Sequence, residues 1–158
     1  MSPAASLSAA EIELRSLVER WAGRLRAKDV EGVLSHYAPD IVSFDLAPPL
    51  EHVGAQSVRE SLEAWFPTFR GALGYEVRNL VVAAGDDLAF CRSLNRISGA
   101  RTDGTVTEVW IRVTLCCRRI EGAWKIVHEH ASVPFYMDGS YKAAIDLSPD
   151  ARLQGELS

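Results

Sequence analysis

The run Thr105 to Ile120, TVTEVWIRVTLCCRRI, decides how this chain folds. Its odd positions Val109, Ile111, Val113, Leu115 and Cys117 are apolar, while the even positions Trp110, Arg112, Thr114 and Cys116 mix an aromatic, a cation and a hydroxyl. A period of two puts successive side chains on opposite faces of a pleated strand. Runs of the same kind flank it at Tyr75 to Ala84, Leu88 to Gly99 and Ala123 to Phe135. They are separated by the turn signals Gly85-Asp86-Asp87, Asp103-Gly104 and Glu121-Gly122. Four strands joined by tight turns make an antiparallel meander.

Upstream of the meander the period is helical. Ser8-Ala9-Ala10-Glu11 fits a capping box, and Leu14, Val18, Trp21 and Leu25 then recur on one stripe. Asp29 can cap a second, short helix with Val30, Val33, Leu34 and Tyr37 on its buried side; Pro39 is expected to end it near Ala38. A short strand, Ile41 to Leu46, stops at Pro48-Pro49, because proline lacks the backbone donor a ladder needs. A third stripe, Val58, Leu62, Trp65, Phe66 and Phe69, is kinked or stopped by Pro67. Helices first and a sheet afterwards is an α+β order, with helices on one face of a curved sheet.

At 158 residues the chain suits one domain. We place it at residues 10–137, after a flexible stretch 1–9 and before an extended tail 138–158 that could reach a neighbouring subunit. With 47% apolar and 24% charged residues the composition is that of a globular protein, and a net charge of −4 argues against nucleic acid as a partner. Met1 to Ala10 has neither a basic start nor an apolar run, so no signal peptide or membrane anchor is expected, and the location expected is the cytoplasm. Cys91, Cys116 and Cys117 form no C-x-x-C pair and read as free thiols. If helices cover one side of the sheet and the other is as apolar as Val109 to Cys117, several hundred Å² would face water. A homodimer through the sheet is therefore expected.

Several strings carry a family resemblance: Lys28-Asp29-Val30-Glu31-Gly32, His36-Tyr37-Ala38-Pro39-Asp40, and Gly122-Ala123-Trp124-Lys125-Ile126-Val127-His128-Glu129-His130. With the element order, they resemble the nuclear transport factor 2-like (SnoaL-like) superfamily, which includes ketosteroid isomerases, polyketide cyclases and the association domain of calcium/calmodulin-dependent kinase. The resemblance covers roughly Ala10 to Phe135. It implies a cone-shaped roll of three N-terminal helices on a curved, mainly antiparallel sheet enclosing one pocket. Phe44-Asp45-Leu46-Ala47-Pro48-Pro49-Leu50 is similar to a branch of ketosteroid-isomerase-like proteins.

Residue by residue, the resemblance implies a general base at Asp45, eight residues after Tyr37. The isomerase's oxyanion tyrosine falls at Trp21, and its second, acidic donor near Cys116. Both required donors are missing, so steroid isomerisation is not expected. Ala89-Phe90-Cys91-Arg92 resembles the kinase association domain's cavity-arginine pattern and implies Arg92 in the cavity, with Arg112 and Thr114 nearby. By the family's parity Glu129 faces the cavity and the histidines the dimer side; a strand bulge would reverse this, so His130 stays among the ligand-contact candidates.

Asp45 and Arg112 are thus the candidate catalytic pair, and Trp21, Arg92, Trp110, Thr114, Glu129 and His130 the candidate ligand contacts. Asp45 has a rival reading as a turn-capping carboxylate, and the arginines as partners of Asp45 or Glu129 in an ion network. His128 and His130 share a strand face at a spacing that metal sites use, but two ligands do not make a site, and neither metal nor cofactor is expected. Two functions remain open. One is a cofactor-free isomerase, cyclase or lyase in which Asp45 takes a proton beside a carbonyl of an apolar or anionic small molecule. The other is a non-catalytic ligand-binding or dimerisation module.

Overall fold

The structure, a computed structural model, describes residues 6–151. Residues 1–5 and 152–158, the ends of the expected N-terminal stretch and tail, lie outside the described residues. Helix α1 (Ala9–Arg26) is followed by α2 (Val30–Leu34), strands β1 (Tyr37–Phe44) and β2 (His52–Val53), and helix α3 (Ala55–Trp65) with a 3-10 turn (Phe66–Thr68). The long strands are β3 (Gly74–Ala84), β4 (Leu88–Ala100), β5 (Val106–Ile120) and β6 (Ala123–Ser132). All six strands form one sheet in the order β2-β1-β6-β5-β4-β3, antiparallel except where β1 runs parallel to β6. Among the described residues no helix is long and apolar enough to cross a membrane.

Local chemistry sets the helix ends. The Glu11 amide donates to Ser8 Oγ at 3.2 Å, and the Gly32 amide to Asp29 Oδ1 at 2.9 Å, satisfying orphan first-turn donors. Helix α3 stops at Trp65, two residues before Pro67, and the chain tightens into the 3-10 turn. The second helix ends earlier than expected, at Leu34, and Tyr37 to Asp40 already belong to β1. Tyr37 pairs with Ile126, and the β1–β6 register shifts between Tyr37 and Val42, so Pro39 falls where the ladder is interrupted and its missing N–H costs no regular bond.

The apolar row of β5 lies under the helices. Ile111, Val113, Leu115 and Cys117 are buried in one cluster with Leu14, Val18, Trp21 and Leu25 of α1 and Val58 of α3. This corrects the premise of the dimer expectation, since the apolar face is the covered one. The open face carries the alternate residues, row by row across the strands: Phe90, Cys116, His128 and Val42; then Arg92, Thr114, His130 and Phe44; then Leu94, Arg112 and Ser132. Beyond β6, Phe135 bridges Ala143, and Arg78 Nη1 donates to Asp150 Oδ1 at 2.9 Å.

Candidate functional site

Side chains from five elements meet on the helix-covered face. Trp21 of α1 donates its indole N–H to the Tyr37 hydroxyl at 3.0 Å, and Tyr37 donates to Glu129 Oε2 at 2.6 Å. Ser43 Oγ donates to the other oxygen, Oε1, at 2.8 Å. The in-register pairing of Ser43 with Glu129 on parallel strands brings these two together. Beside them Tyr75 meets the Trp21 ring edge-on at 5.5 Å, and its hydroxyl accepts from Asn95 Nδ2 at 3.0 Å. Asn95 is in turn fixed by Ser93, whose Oγ donates to Asn95 Oδ1 at 2.7 Å.

Burial governs how these groups ionise. It pushes the Glu129 carboxyl above its ordinary range, opposed by the bonds from Tyr37 and Ser43, while the nearby Asp45 charge pushes the same way as burial. Burial, and then the Glu129 charge, holds the Tyr37 phenol well above its ordinary value; burial does the same for Tyr75. Both phenols therefore stay protonated and available as donors across the physiological range.

Asp45 stands at the rim, just past the end of β1. Its Oδ1 accepts from the Leu46 amide at 2.7 Å, and Ser61 Oγ of α3 lies 3.4 Å from Oδ2. It lines a cleft of about 640 Å³ with Phe44, Leu46, Leu50, His130 and Val133. The cleft exists because β1 ends at Phe44 whereas β6 runs on to Ser132, leaving the last residues of β6 without a neighbour on that side. A mostly apolar hollow with a few convergent polar groups is the usual form of a small-molecule site.

The sequence-derived site residues divide between the two faces. Trp21 and Glu129 lie inside, Asp45 at the rim, and Arg92, Trp110, Arg112, Thr114 and His130 on the open face. Arg92 and Arg112 are therefore not cavity groups, because β4 and β5 alternate regularly and their inward positions are Cys91, Ser93, Ile111 and Val113. Neither arginine pairs with Asp45 or Glu129 among the described residues; Arg112 Nε donates to Ser132 Oγ at 3.1 Å, next to the cleft. Trp110 lies beneath Arg78, whose guanidinium carbon is 4.6 Å from its ring centre. Glu129 lies inward and His128 and His130 outward, the orientation that the family's parity implies; the bulge on β6, where Cys116-Cys117 oppose Ile126 and His128, comes before these residues and does not reverse them. Tyr37, Ser43, Tyr75, Ser93 and Asn95 were missed as site residues. Strand parity could have found Ser43, two residues before Asp45 on the same face, and Ser93 and Asn95 beside Cys91.

The fold and this site define a class: an α+β fold of the nuclear transport factor 2-like kind, with a polar cluster on the helix-covered face and a cleft at the sheet edge where β1 ends. Within that class the chain belongs to the SnoaL-like domain family, which matches residues 14–136. It is similar to a solved nuclear transport factor 2-like protein of unknown function from Pseudomonas putida, at 36% identity and a TM-score of 0.82 over 92% of this chain and 100% of that one. A ketosteroid isomerase-like protein from Erwinia carotovora atroseptica is 20% identical, with a TM-score of 0.70 over 80% of this chain and 97% of that one. A protein with a cystatin-like fold from Nostoc punctiforme is 22% identical, with a TM-score of 0.64 over 80% and 93%. The last two likenesses bear on the fold alone. No curated protein matches the chain in sequence.

Proposed function

We propose that this SnoaL-like protein binds a small molecule in the cleft beside the end of β1 and that Asp45 acts there as a general base on carbon next to a carbonyl. The observation that carries the reading is the cleft of about 640 Å³, which sets the Asp45 carboxylate against Phe44, Leu46, Leu50 and Val133. An apolar wall holds the body of a ligand, and the fixed carboxylate meets its acidic C–H. Electron density moving onto the carbonyl oxygen needs donors, and His130 and Ser132 stand on the cleft wall for that role. No cofactor enters the scheme. The three free cysteines suit a reducing compartment such as the cytoplasm.

The test is Asp45→Asn, assayed by proton exchange at the α-carbon of small enolisable ketones followed by NMR. Exchange should fall by at least about a hundredfold, the range expected for a lost general base, with the circular dichroism spectrum unchanged. An Asn variant as active as the parent removes Asp45 from the chemistry.

A second reading, a ligand-binding or dimerisation module without chemistry, is favoured by the open face. Phe44, Leu88 and Phe90 are exposed there although they are large and apolar. On either reading we propose a homodimer through this face of the sheet.

A further inference from the structure

We infer that Arg112 is a positioning residue for the chemistry in the cleft: it fixes and polarises the Ser132 hydroxyl, and that hydroxyl donates to the oxygen of the enolising carbonyl. The inference rests on the reading of the cleft as a small-molecule site with Asp45 as its base. It adds the orientation of the substrate, whose acidic C–H faces Asp45 and whose carbonyl oxygen faces the end of β6.

The first ground is geometric. Arg112 of β5 and Ser132 of β6 are partners in register, so their side chains stand side by side on the open face. Arg112 Nε donates to Ser132 Oγ at 3.1 Å, and among the described residues this is the one hydrogen bond of that hydroxyl. A serine hydroxyl has two lone pairs and one hydrogen, so an oxygen that accepts from a guanidinium keeps its own O–H to give. Ser132 is the last residue of β6, and it lines the cleft. The lining comes from two segments: the chain after β1, which carries Asp45, and the end of β6, which carries His130 and Ser132. A ketone lying between them meets a base on one side and a donor on the other.

The second ground is electrostatic. The acids on the neighbouring part of the open face are already engaged, since Arg96 holds Glu108 at 3.1 Å and Arg78 holds Glu76 at 3.2 Å. Among the described residues Arg112 forms no ion pair, and its Nε–H is spent on Ser132. A bond from a charged donor is about twice as strong as a neutral one, and it polarises the next bond in the chain. As Asp45 takes the proton, the C–H electron pair becomes the new C=C bond and the carbonyl pair moves onto oxygen. Negative charge therefore arrives where Ser132 donates, and it leaves again when the proton returns to carbon. A donor strengthened by Arg112 favours that oxyanion over the neutral ketone, which is the difference that accelerates a reaction. His130, the other polar group on this wall, is placed instead by the Phe44 ring, edge-on at 5.4 Å.

The experiment measures kcat and KM for hydrogen–deuterium exchange at the α-carbon of cyclohexanone by NMR. It compares the full chain with Ser132→Ala, Arg112→Gln and the double variant, each checked for folding by circular dichroism. Ser132→Ala should lower kcat by about a hundredfold, the effect of a lost oxyanion donor. Arg112→Gln should lower kcat by about tenfold at unchanged KM, roughly the difference between a hydrogen bond to a charged and to a neutral group. That loss should be the same from about pH 6 to about pH 9, because a guanidinium does not titrate there. With Ser132 already removed, Arg112→Gln should cost nothing further. An Arg112→Gln variant as active as the parent overturns the inference. So does a raised KM at constant kcat, or a loss that persists in the absence of Ser132, since the guanidinium would then act on the ligand directly. In any of these cases, exchange that still depends on Asp45 leaves the site reading standing. If the parent exchanges no faster than buffer, the site reading falls and the inference with it.

Discussion

Glu129 is a carboxyl that folding takes out of water with the hydroxyls of Tyr37 and Ser43 as its hydrogen-bond donors. Burial first, and the Asp45 charge after it, raise its proton affinity above the ordinary value of 4.5, so the folded chain holds this proton more tightly than the unfolded one. The associated stability is complete below the unfolded value and is lost as pH rises through the folded value. Glu129→Gln removes that loss. Its melting temperature should exceed the parent's by roughly 3 °C at pH 8 and match it at pH 4, as thermal unfolding followed by circular dichroism would show; equal losses at both pH values would contradict this. Tyr37→Phe deprives Glu129 of a donor and Trp21 of its acceptor, leaving a buried indole N–H unpaired. A cost of about 1 to 3 kcal/mol in urea unfolding is expected. Asp45 could be singled out in the sequence as an acid among Phe44, Leu46 and Ala47, and Glu129 through the parity that the family resemblance implies. The role of Tyr37 could not, because its partner lies 92 positions away.

At the scale of elements, the strands and helices follow hydrophobic period, and their irregularities follow packing. The alternation from Ala123 to Phe135 contains no mark of the bulge between Ile126 and His128; the inward Glu129 was implied by the family's parity and not by the alternation itself. The bulge is settled against two neighbours at once, β5 and the parallel β1. Gly99 shows a similar dependence on contact. Its φ is +151°, and a Cβ there would come within 2.9 Å of both the Ala72 carbonyl oxygen and the Phe69 ring. The backbone of β4 therefore passes too close to the segment after α3 for any side chain. Gly99→Ala should lose about 2 kcal/mol of stability, measured as a lower urea midpoint at unchanged slope. An unchanged midpoint would mean that the segment yields at no cost.

For the whole molecule, the outstanding surface is the open side of the sheet. It is neither the uniform apolar sheet first expected nor an ordinary solvated one: Phe90 is 45% and Leu88 52% exposed, beside Arg92, Arg112 and two histidines. A face of this mixed kind resembles protein interfaces, which join aromatic and arginine contacts to a polar rim. Sedimentation should find the parent as a dimer and Phe90→Glu as a folded monomer, because the substitution removes an apolar contact and withdraws a charge from water in the dimer. A monomeric parent would remove the dimer proposal. The α+β order and the family likeness were legible from periodicity, turn signals and a few strings, because these depend on neighbours within a few residues. Which side of the sheet the helices cover was not written there, so Arg92 and Arg112 could be assigned to the wrong side. Parity tells which side chains share a face; only the packing of α1 and α3 onto Ile111, Val113 and Leu115 decides which face becomes the inside.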